Sequence, residues 1–397
     1  MMLVDRYSKM EWSEVMKRVK TNKNGTFVMQ GNVACAEGAI ASGCNFFAGY
    51  PITPATEIAE HMAVRLMETG GYFVQMEDEL GSISALVGAS YAGARAMTAT
   101  SGPGFSLMQE GIGAALCLER PMVLCDVMRG GPSSGQATAP SQMDIMQIKY
   151  GTHGDYEVIA ICPASVQEAY DFTVRAFYIA YKYCIPVVVV MDEIVAHMRE
   201  KIHIPEEVEI FDEKPERLYI GETFKIDENL IPPRINFFEG HRICADCNLH
   251  DETGHAAGNK FEVAAKCIRH LCDKVIKNSD DICSVEKYFD DEDVDVAVIA
   301  YGSVSRAANS AVERARERGL KVSYMKVNTI WPLPVKEITE FCSKAQKVLV
   351  PEMNIGKYAS EIQRIVGLDK VKGYSSLGGR FPNPDDILKC IEEMIEK

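Results

Sequence analysis

Gly49-Tyr50-Pro51-Ile52-Thr53-Pro54 and, further along, Glu77-Asp78-Glu79-Leu80-Gly81-Ser82 decide how this chain is read, because each closes a short apolar run and opens a helical one. Phe46-Phe47-Ala48 reads as a buried strand. Thr53 then reads as an N-cap, Pro54 as the first helical residue, and Ile58, Met62 and Leu66 as the inward face of the helix. The free N–H groups of such a helix start point at whatever lies above the strand ends. In the second unit Tyr72 to Met76 reads as the strand, and three acids crowd its carboxyl end. The helix that follows is built of Gly, Ser and Ala, so another backbone or a flat ligand can come close to it.

The same alternation continues outward from these units. Strands are predicted near Ala96 to Ala99, Met122 to Val127, Val158 to Ile161 and Pro186 to Met191, with an amphipathic helix over Ser165 to Tyr181. Strands alternating with helices imply a largely parallel sheet covered on both faces, hence an α/β domain over 26–205. Ahead of it, 1–25 reads as an extension in which Trp12, Val15, Met16 and Val19 form one face of a small docking helix. Over 206–293 the periodicity weakens, Pro215, Pro232 and Pro233 interrupt it after Pro205, and an irregular connector with a helix from Lys260 to Ile276 is expected. A second α/β unit occupies 294–397. It opens on Val294 to Ala300, turns at Tyr301-Gly302-Ser303, runs a helix to Arg318-Gly319 and returns on Val322 to Met325, with Val348 to Val350 as the next strand.

At 397 residues and 47% hydrophobic content the chain has material for two or three cored domains. A net charge of −14 argues against nucleic acid as a partner. There is no run of eighteen apolar residues, and Met1 to Asn24 is polar and mixed in charge, so neither a membrane span nor an export leader is expected. Thirteen cysteines without such a leader read as reduced thiols in a cytoplasmic protein, with Cys117, Cys125 and Cys162 as small core residues.

Six strings stand in one order: Tyr50-Pro51-Ile52-Thr53-Pro54, Glu79-Leu80-Gly81, Thr100-Ser101-Gly102-Pro103-Gly104, Arg129-Gly130-Gly131-Pro132-Ser133, Gly151-Thr152-His153-Gly154-Asp155 and Pro351-Glu352-Met353-Asn354. Together they resemble the α subunit of the thiamine diphosphate-dependent 2-oxoacid:ferredoxin oxidoreductases, most of all the 2-oxoglutarate branch. The likeness runs from about Gly31 to Met198 and again from about Val294. It implies a pyrimidine-binding thiamine diphosphate domain followed by a transketolase C-terminal-like α/β domain. It also implies an activity: oxidative decarboxylation of 2-oxoglutarate with coenzyme A to succinyl-CoA and CO2, with electrons passed to ferredoxin.

The resemblance assigns roles residue by residue. Glu79 is the catalytic carboxyl that holds N1′ of the aminopyrimidine, a task suited to an acid whose pKa an apolar pocket has raised. Tyr50, Pro51, Ile52, Gly102, Gly104 and Arg129 join Glu79 against the cofactor. Thr53, Arg129 and His153 face the substrate, and a guanidinium is a natural fork for the carboxylate of a 2-oxoacid. Read without the resemblance, Glu77, Asp78 and Glu79 are helix-start acids, Thr53 a cap, Arg129 a surface residue beside a glycine turn, and His153 a solvated loop residue.

Two patterns are missing. Mg2+ in thiamine enzymes is gripped by an Asp-Gly motif, and no Gly-Asp-Gly occurs here; Gly154-Asp155-Tyr156 lacks the second glycine. Nor is there a Cys-x2-Cys-x2-Cys run for a 4Fe-4S cluster. The chain is therefore expected to supply half of a shared site, with a β subunit bringing the diphosphate grip, Mg2+ and the cluster, and γ and δ subunits as further candidate partners. No metal ligand is assigned in this chain. In His241-x2-Cys244-x2-Cys247-x2-His250 the portion from His250 to Gly254 resembles a family motif, but the cysteine pair falls outside it, and the even spacing does not wrap a tetrahedron, so reduced thiols are expected there. The same reaction on branched-chain 2-oxoacids or pyruvate remains an alternative. So does a non-catalytic redox or binding module built on Cys244 and Cys247.

Overall fold

A computed structural model describes residues 16–212, 223–226, 228–241, 243–290 and 293–396. The chain opens with β1 (Met16–Lys20), β2 (Gly25–Gln30) and α1 (Gly31–Ala41). Then come β3 (Phe46–Gly49), α2 (Thr56–Thr69), β4 (Tyr72–Gln75), α3 (Glu79–Tyr91), β5 (Ala96–Thr100) and α4 (Gly102–Cys117). Next are β6 (Met122–Gly130), β7 (Gln136–Pro140), α5 (Ile145–Tyr150), β8 (Ile159–Ile161), α6 (Val166–Tyr183), β9 (Pro186–Asp192) and α7 (Glu193–His197). β10 (Arg199–Ile204), which pairs antiparallel with β2, and β11 (Glu207–Phe211), which pairs with β1, precede α8 (Phe261–Ile276), α9 (Ser279–Ile282) and β12 (Val285–Tyr288). The last part holds β13 (Val294–Tyr301), α10 (Val304–Glu317), β14 (Val322–Val327), β15 (Thr329–Trp331), α11 (Val335–Ser343), β16 (Ala345–Glu352), α12 (Lys357–Val366), β17 (Val371–Ser375) and α13 (Pro384–Glu396).

Two α/β sheets organise these elements. The larger runs β15-β8-β9-β6-β5-β3-β4 with β7 attached to β6, and the smaller runs β12-β14-β13-β16-β17. Pairing is parallel throughout both interiors, and the antiparallel strands β7, β12 and β15 sit at their margins. The central strands β6 and β9 are buried at every position, which is why their sequences are near-continuous apolar runs. Helix α6 begins as its sequence indicates: the Ser165 hydroxyl accepts the Glu168 N–H at 3.1 Å, and the Glu168 carboxylate accepts the Ala164 N–H at 2.8 Å.

Several local expectations are corrected. Met16 and Val19 lie on a strand: β1 pairs antiparallel with β11, Lys20 opposite Glu207, a long-range partner that outweighs the helical spacing. Trp12, Val15 and Pro215 lie outside the described residues. Thr53 is not an N-cap and Pro54 is not helical. The Ala55 N–H turns back to the Ile52 carbonyl at 2.9 Å, so the helix starts only at Thr56, and Ile58, Met62 and Leu66 still form its fully buried face. β4 is an edge strand, with Tyr72 72% exposed. Cys117 is half-buried, while Cys125 and Cys162 are core residues.

Sheet pairing crosses the sequence blocks read above. β12, from the connector, joins the smaller sheet, and β15, from the last part, joins the larger one. One large apolar core accordingly runs from α1 and β3 through β6 and β9 to Trp331, Val350 and Tyr358. A second core between α10, α13 and the smaller sheet holds Val296, Val312 and Ile391. The start of α10 at Tyr301-Gly302-Ser303 holds no open N–H cradle, because the buried Asp192 carboxylate at the end of β9 accepts the Ser303 N–H at 2.8 Å.

Candidate functional site

The open carboxyl ends of β3, β4, β5 and β6 stand side by side, and each delivers one piece of the candidate site. After β4, Asp78 is the N-cap of α3 and its carboxylate accepts the Gly81 N–H at 2.8 Å. That pins the first turn and turns Glu79 inward, where it is 5% exposed. Burial pushes the Glu79 carboxyl upward, and the charge of Asp78 adds to this. Its own N–H, the Thr100 hydroxyl hydrogen-bonded to it and the Arg129 charge pull the other way without cancelling the rise.

Gly104 explains how α4 tolerates this acid. A methyl group there would stand 2.1 Å from Thr100 Oγ1 and 2.3 Å from Glu79 Oε1, so only bare backbone fits beside the carboxyl. Gly102, one turn-start earlier, faces the Asp144 carboxylate, whose oxygens would lie 3.2 and 3.3 Å from an added Cβ. The N-terminus of α4 is thus held between two acids, Glu79 and Asp144.

Arg129 closes the arrangement from the end of β6. It is 9% exposed, its Nη1 donates to the Thr53 carbonyl at 2.6 Å, and its Nε has no protein partner. It makes no ion pair among the described residues. A nearly buried guanidinium with an idle N–H and no counter-ion is suited to an anionic ligand. Tyr50, Pro51 and Thr53 are exposed and Ile52 half-buried, so this segment lines the open side. His153 stands apart: it is 86% exposed, and its Nδ1 lies 3.6 Å from Glu110, also exposed, further along α4.

Asp126 and Asp144 were not among the residues the sequence singled out, and Thr100, inside one of the six strings, carried no assigned role. One signal for Asp126 existed, an ionisable residue inside the otherwise apolar stretch from Met122 to Met128. Asp144 carried none, because its loop is brought to α4 only by the fold. The residues His241, Cys244, Cys247 and His250 do not converge. Among the described residues no group of three or more His, Cys, Asp or Glu could hold a metal ion. His250 instead packs on the Phe224 ring at 3.8 Å, with its Nε2 3.0 Å from the Cys117 carbonyl.

The buried Glu79, its carboxyl pushed upward by burial, against bare Gly104 fits an aminopyrimidine, a flat ring that needs a carboxyl at one edge and no side chain in its way. Comparisons with known proteins agree with this chemistry. The family model for the pyruvate flavodoxin/ferredoxin oxidoreductase thiamine diphosphate-binding domain matches residues 37–270, and that for pyruvate:ferredoxin oxidoreductase core domain II matches 294–387. The chain is 50% identical to the 2-oxoglutarate synthase subunit KorA of Methanothermobacter marburgensis over 93% of this chain and 99% of that one. It is 34% identical to the ketoisovalerate oxidoreductase subunit VorB of Methanothermobacter thermautotrophicus over 93% and 98%. Among solved structures, the 2-oxoglutarate:ferredoxin oxidoreductase of Magnetococcus marinus, with 2-oxoglutarate, coenzyme A and succinyl-CoA bound, superposes with a TM-score of 0.88 at 33% identity. That match covers 94% of this chain and 66% of the longer one. A split-gene transketolase, at a TM-score of 0.53 and 12% identity, shares the fold.

Proposed function

This chain belongs to the pyruvate flavodoxin/ferredoxin oxidoreductase family, and from that premise we propose that it is the α subunit of a 2-oxoglutarate:ferredoxin oxidoreductase. The observation that carries the site reading is Glu79: a buried carboxyl, pushed upward by burial, packed on Gly104 and flanked by an Arg129 that makes no ion pair among the described residues. The substrate reading is supported by relatives at 42–50% identity that are named 2-oxoglutarate synthase subunits, against 34% for the ketoisovalerate enzymes.

In this reading residues 26–205 form the pyrimidine-binding domain and 294–397 the transketolase C-terminal-like domain. Glu79 holds the pyrimidine edge of thiamine diphosphate, with Gly102 and Gly104 leaving room for the ring and Tyr50, Pro51 and Ile52 covering it. When bound, the cofactor supplies a nucleophilic carbon and an electron sink for decarboxylation of a 2-oxoacid. Arg129 takes the substrate carboxylate next to the ketone and Thr53 steadies it, while the exposed His153 is the candidate contact for a distal carboxylate. Holding Arg129 nearly dry strengthens its pull on an anion. The chain lacks the hard-ligand motif for Mg2+ and the cysteine run for a 4Fe-4S cluster, so a β subunit brings both, together with the electron path to ferredoxin. A cytoplasmic location is consistent with thirteen free cysteines, and among the described residues no helix is long and apolar enough to cross a membrane.

The test is an assay of CoA-dependent viologen reduction. The purified chain alone is expected to show none with any 2-oxoacid. With the β subunit restored, 2-oxoglutarate should turn over fastest, and a clear preference for 2-oxoisovalerate or pyruvate would move the assignment to the corresponding branch.

A further inference from the structure

Thr100, the last residue of β5, carries a loosely held hydroxyl next to the catalytic carboxyl. The residue is fully buried, and its Oγ1 donates to the Ser101 carbonyl at 3.4 Å, well beyond the ~2.7–2.8 Å usual for such a bond. That carbonyl already accepts the Phe105 N–H at 3.0 Å in the first turn of α4, so it needs no second donor. Glu79 stands on the other side. Thr100 Oγ1 and Glu79 Oε1 crowd a single point, 2.1 and 2.3 Å from where a Cβ on Gly104 would be, and the Glu79 carboxyl carbon lies 2.6 Å from it. The bare backbone of Gly104 is what lets the hydroxyl and the carboxyl share this space.

Few charges face Glu79. Asp78, next to it, is committed to the Gly81 N–H, and Glu77 precedes both. β3 and β5 carry no charged residue, and α4 carries none before the exposed Glu110. On β6, Arg129 is the one cation, and Asp126, in register with Thr100, is held neutral by burial, which pushes its carboxyl well above the ordinary range. Asp144 lies beyond Gly102. A carboxyl that gives a proton to N1′ and takes it back has to be comfortable in both states. Burial favours only the neutral one. A backbone N–H favours the anion at all times, whereas a hydroxyl with a second acceptor can engage the carboxylate only when its charge appears, because it turns about its own C–O bond.

We propose that Thr100 is a positioning residue for Glu79: its hydroxyl turns from the Ser101 carbonyl to the Glu79 carboxylate as Glu79 hands its proton to N1′ of the aminopyrimidine, and turns back when the proton returns. The inference rests on the reading of Glu79 as the carboxyl that holds N1′. Thr100 touches neither cofactor nor substrate in this role and acts only through Glu79. Its effect is selective, since a donor that serves the ionised carboxylate and leaves the neutral one alone eases the transfer itself.

The experiment reads Glu79 directly. In the αβ complex freed of cofactor, the infrared carbonyl stretch of protonated carboxyl groups is followed against pH, and the part that disappears in Glu79→Gln is the Glu79 signal. In Thr100→Val, which keeps the shape and loses the donor, the midpoint of that signal should rise by about one pH unit or more. In Thr100→Ser it should stay at the wild-type value. With the cofactor restored, exchange of the thiazolium C2 hydrogen for deuterium should slow by roughly three- to tenfold in Thr100→Val and recover in Thr100→Ser. An unmoved midpoint in Thr100→Val, or an equal rise in Thr100→Ser, overturns the proposal. Should Thr100→Val fail to assemble, Thr100→Cys, whose thiol is a weak donor, is expected to show the same rise, and an unmoved midpoint there overturns the proposal too. The two readings fail separately. Near wild-type C2 exchange in Glu79→Gln, or no Glu79 signal at any pH, removes the reading of Glu79 and this proposal with it; exchange slowed by about a hundredfold in Glu79→Gln, with no shift in Thr100→Val, removes Thr100 alone.

Discussion

Glu79 and its neighbours show how much a single turn decides. Asp78 spends its carboxylate on the Gly81 N–H, so the two adjacent acids have different work although the sequence writes them side by side. Glu79→Gln keeps the shape but cannot exchange a proton with N1′, and exchange of the thiazolium C2 hydrogen for deuterium in the αβ complex should slow by about a hundredfold or more. Asp78→Asn should leave that rate near wild type, since Asn is also a good cap. Gly104→Ala should resemble Glu79→Gln, because its methyl must displace either Thr100 Oγ1 or the Glu79 carboxyl. Near wild-type exchange in Glu79→Gln would show that the wrong acid was chosen. Glu79 was legible because its strand end, its acids and its small-residue helix are contiguous in sequence. Asp144 belongs to a different segment, and only the packing of the loop before α5 onto α4 brings it beside Gly102.

At the level of elements, helix α8 shows how the connector is tied to the larger sheet. Lys274 on α8 reaches Glu119, just beyond α4, at 2.6 Å with both side chains 1% exposed, and His270 meets the same oxygen at 2.7 Å. Burial alone would push the Glu119 carboxyl up; the charges and hydrogen bonds of Lys274 and His270 outweigh it and hold the group down to about 2. Its stabilising contribution is therefore present above the unfolded value near 4 and is lost only as pH falls through about 2. Lys274→Met strands the carboxylate, and urea unfolding at pH 7 should show a loss of about 3–5 kcal/mol. In that variant burial dominates, so the deficit should shrink as pH is lowered toward 5, and Glu119→Gln added to it should recover much of the loss. A deficit independent of pH would assign the effect to packing instead. The helix itself was legible from its apolar spacing. β1, β10, β11, β12 and β15 were not, because short strands with few apolar residues are specified by distant partners: Met16 and Val19 read as helical until Phe211 and Val208 are set opposite them.

Across the whole molecule, the two sheets are laced together. The Trp331 indole donates to the Ile145 carbonyl at 2.8 Å, Gln142 bonds the Tyr301 carbonyl and the Met353 N–H, and Asp192 binds Ser303. With one apolar core spanning both parts, scanning calorimetry of the chain should show a single cooperative transition; two resolved transitions would mean that the sheets are independent units. The α/β class and the order of the two units could be read from alternating apolar runs, since that signal is local. The lacing could not, because the residues that make it are ordinary polar side chains whose partners lie in the other half.

The placement of β15 reaches back to the ribosome. β8 offers its outer edge to Thr329–Trp331, which is synthesised long after Ile159–Ile161. At roughly 5–20 residues per second, the nascent sheet waits on the order of ten seconds or more with an unpaired apolar margin, the kind of edge on which chains stick to one another. Translation of this chain therefore passes through an interval in which its first sheet is nearly assembled and open on one side, and it is during that interval that a holdase would have something to hold.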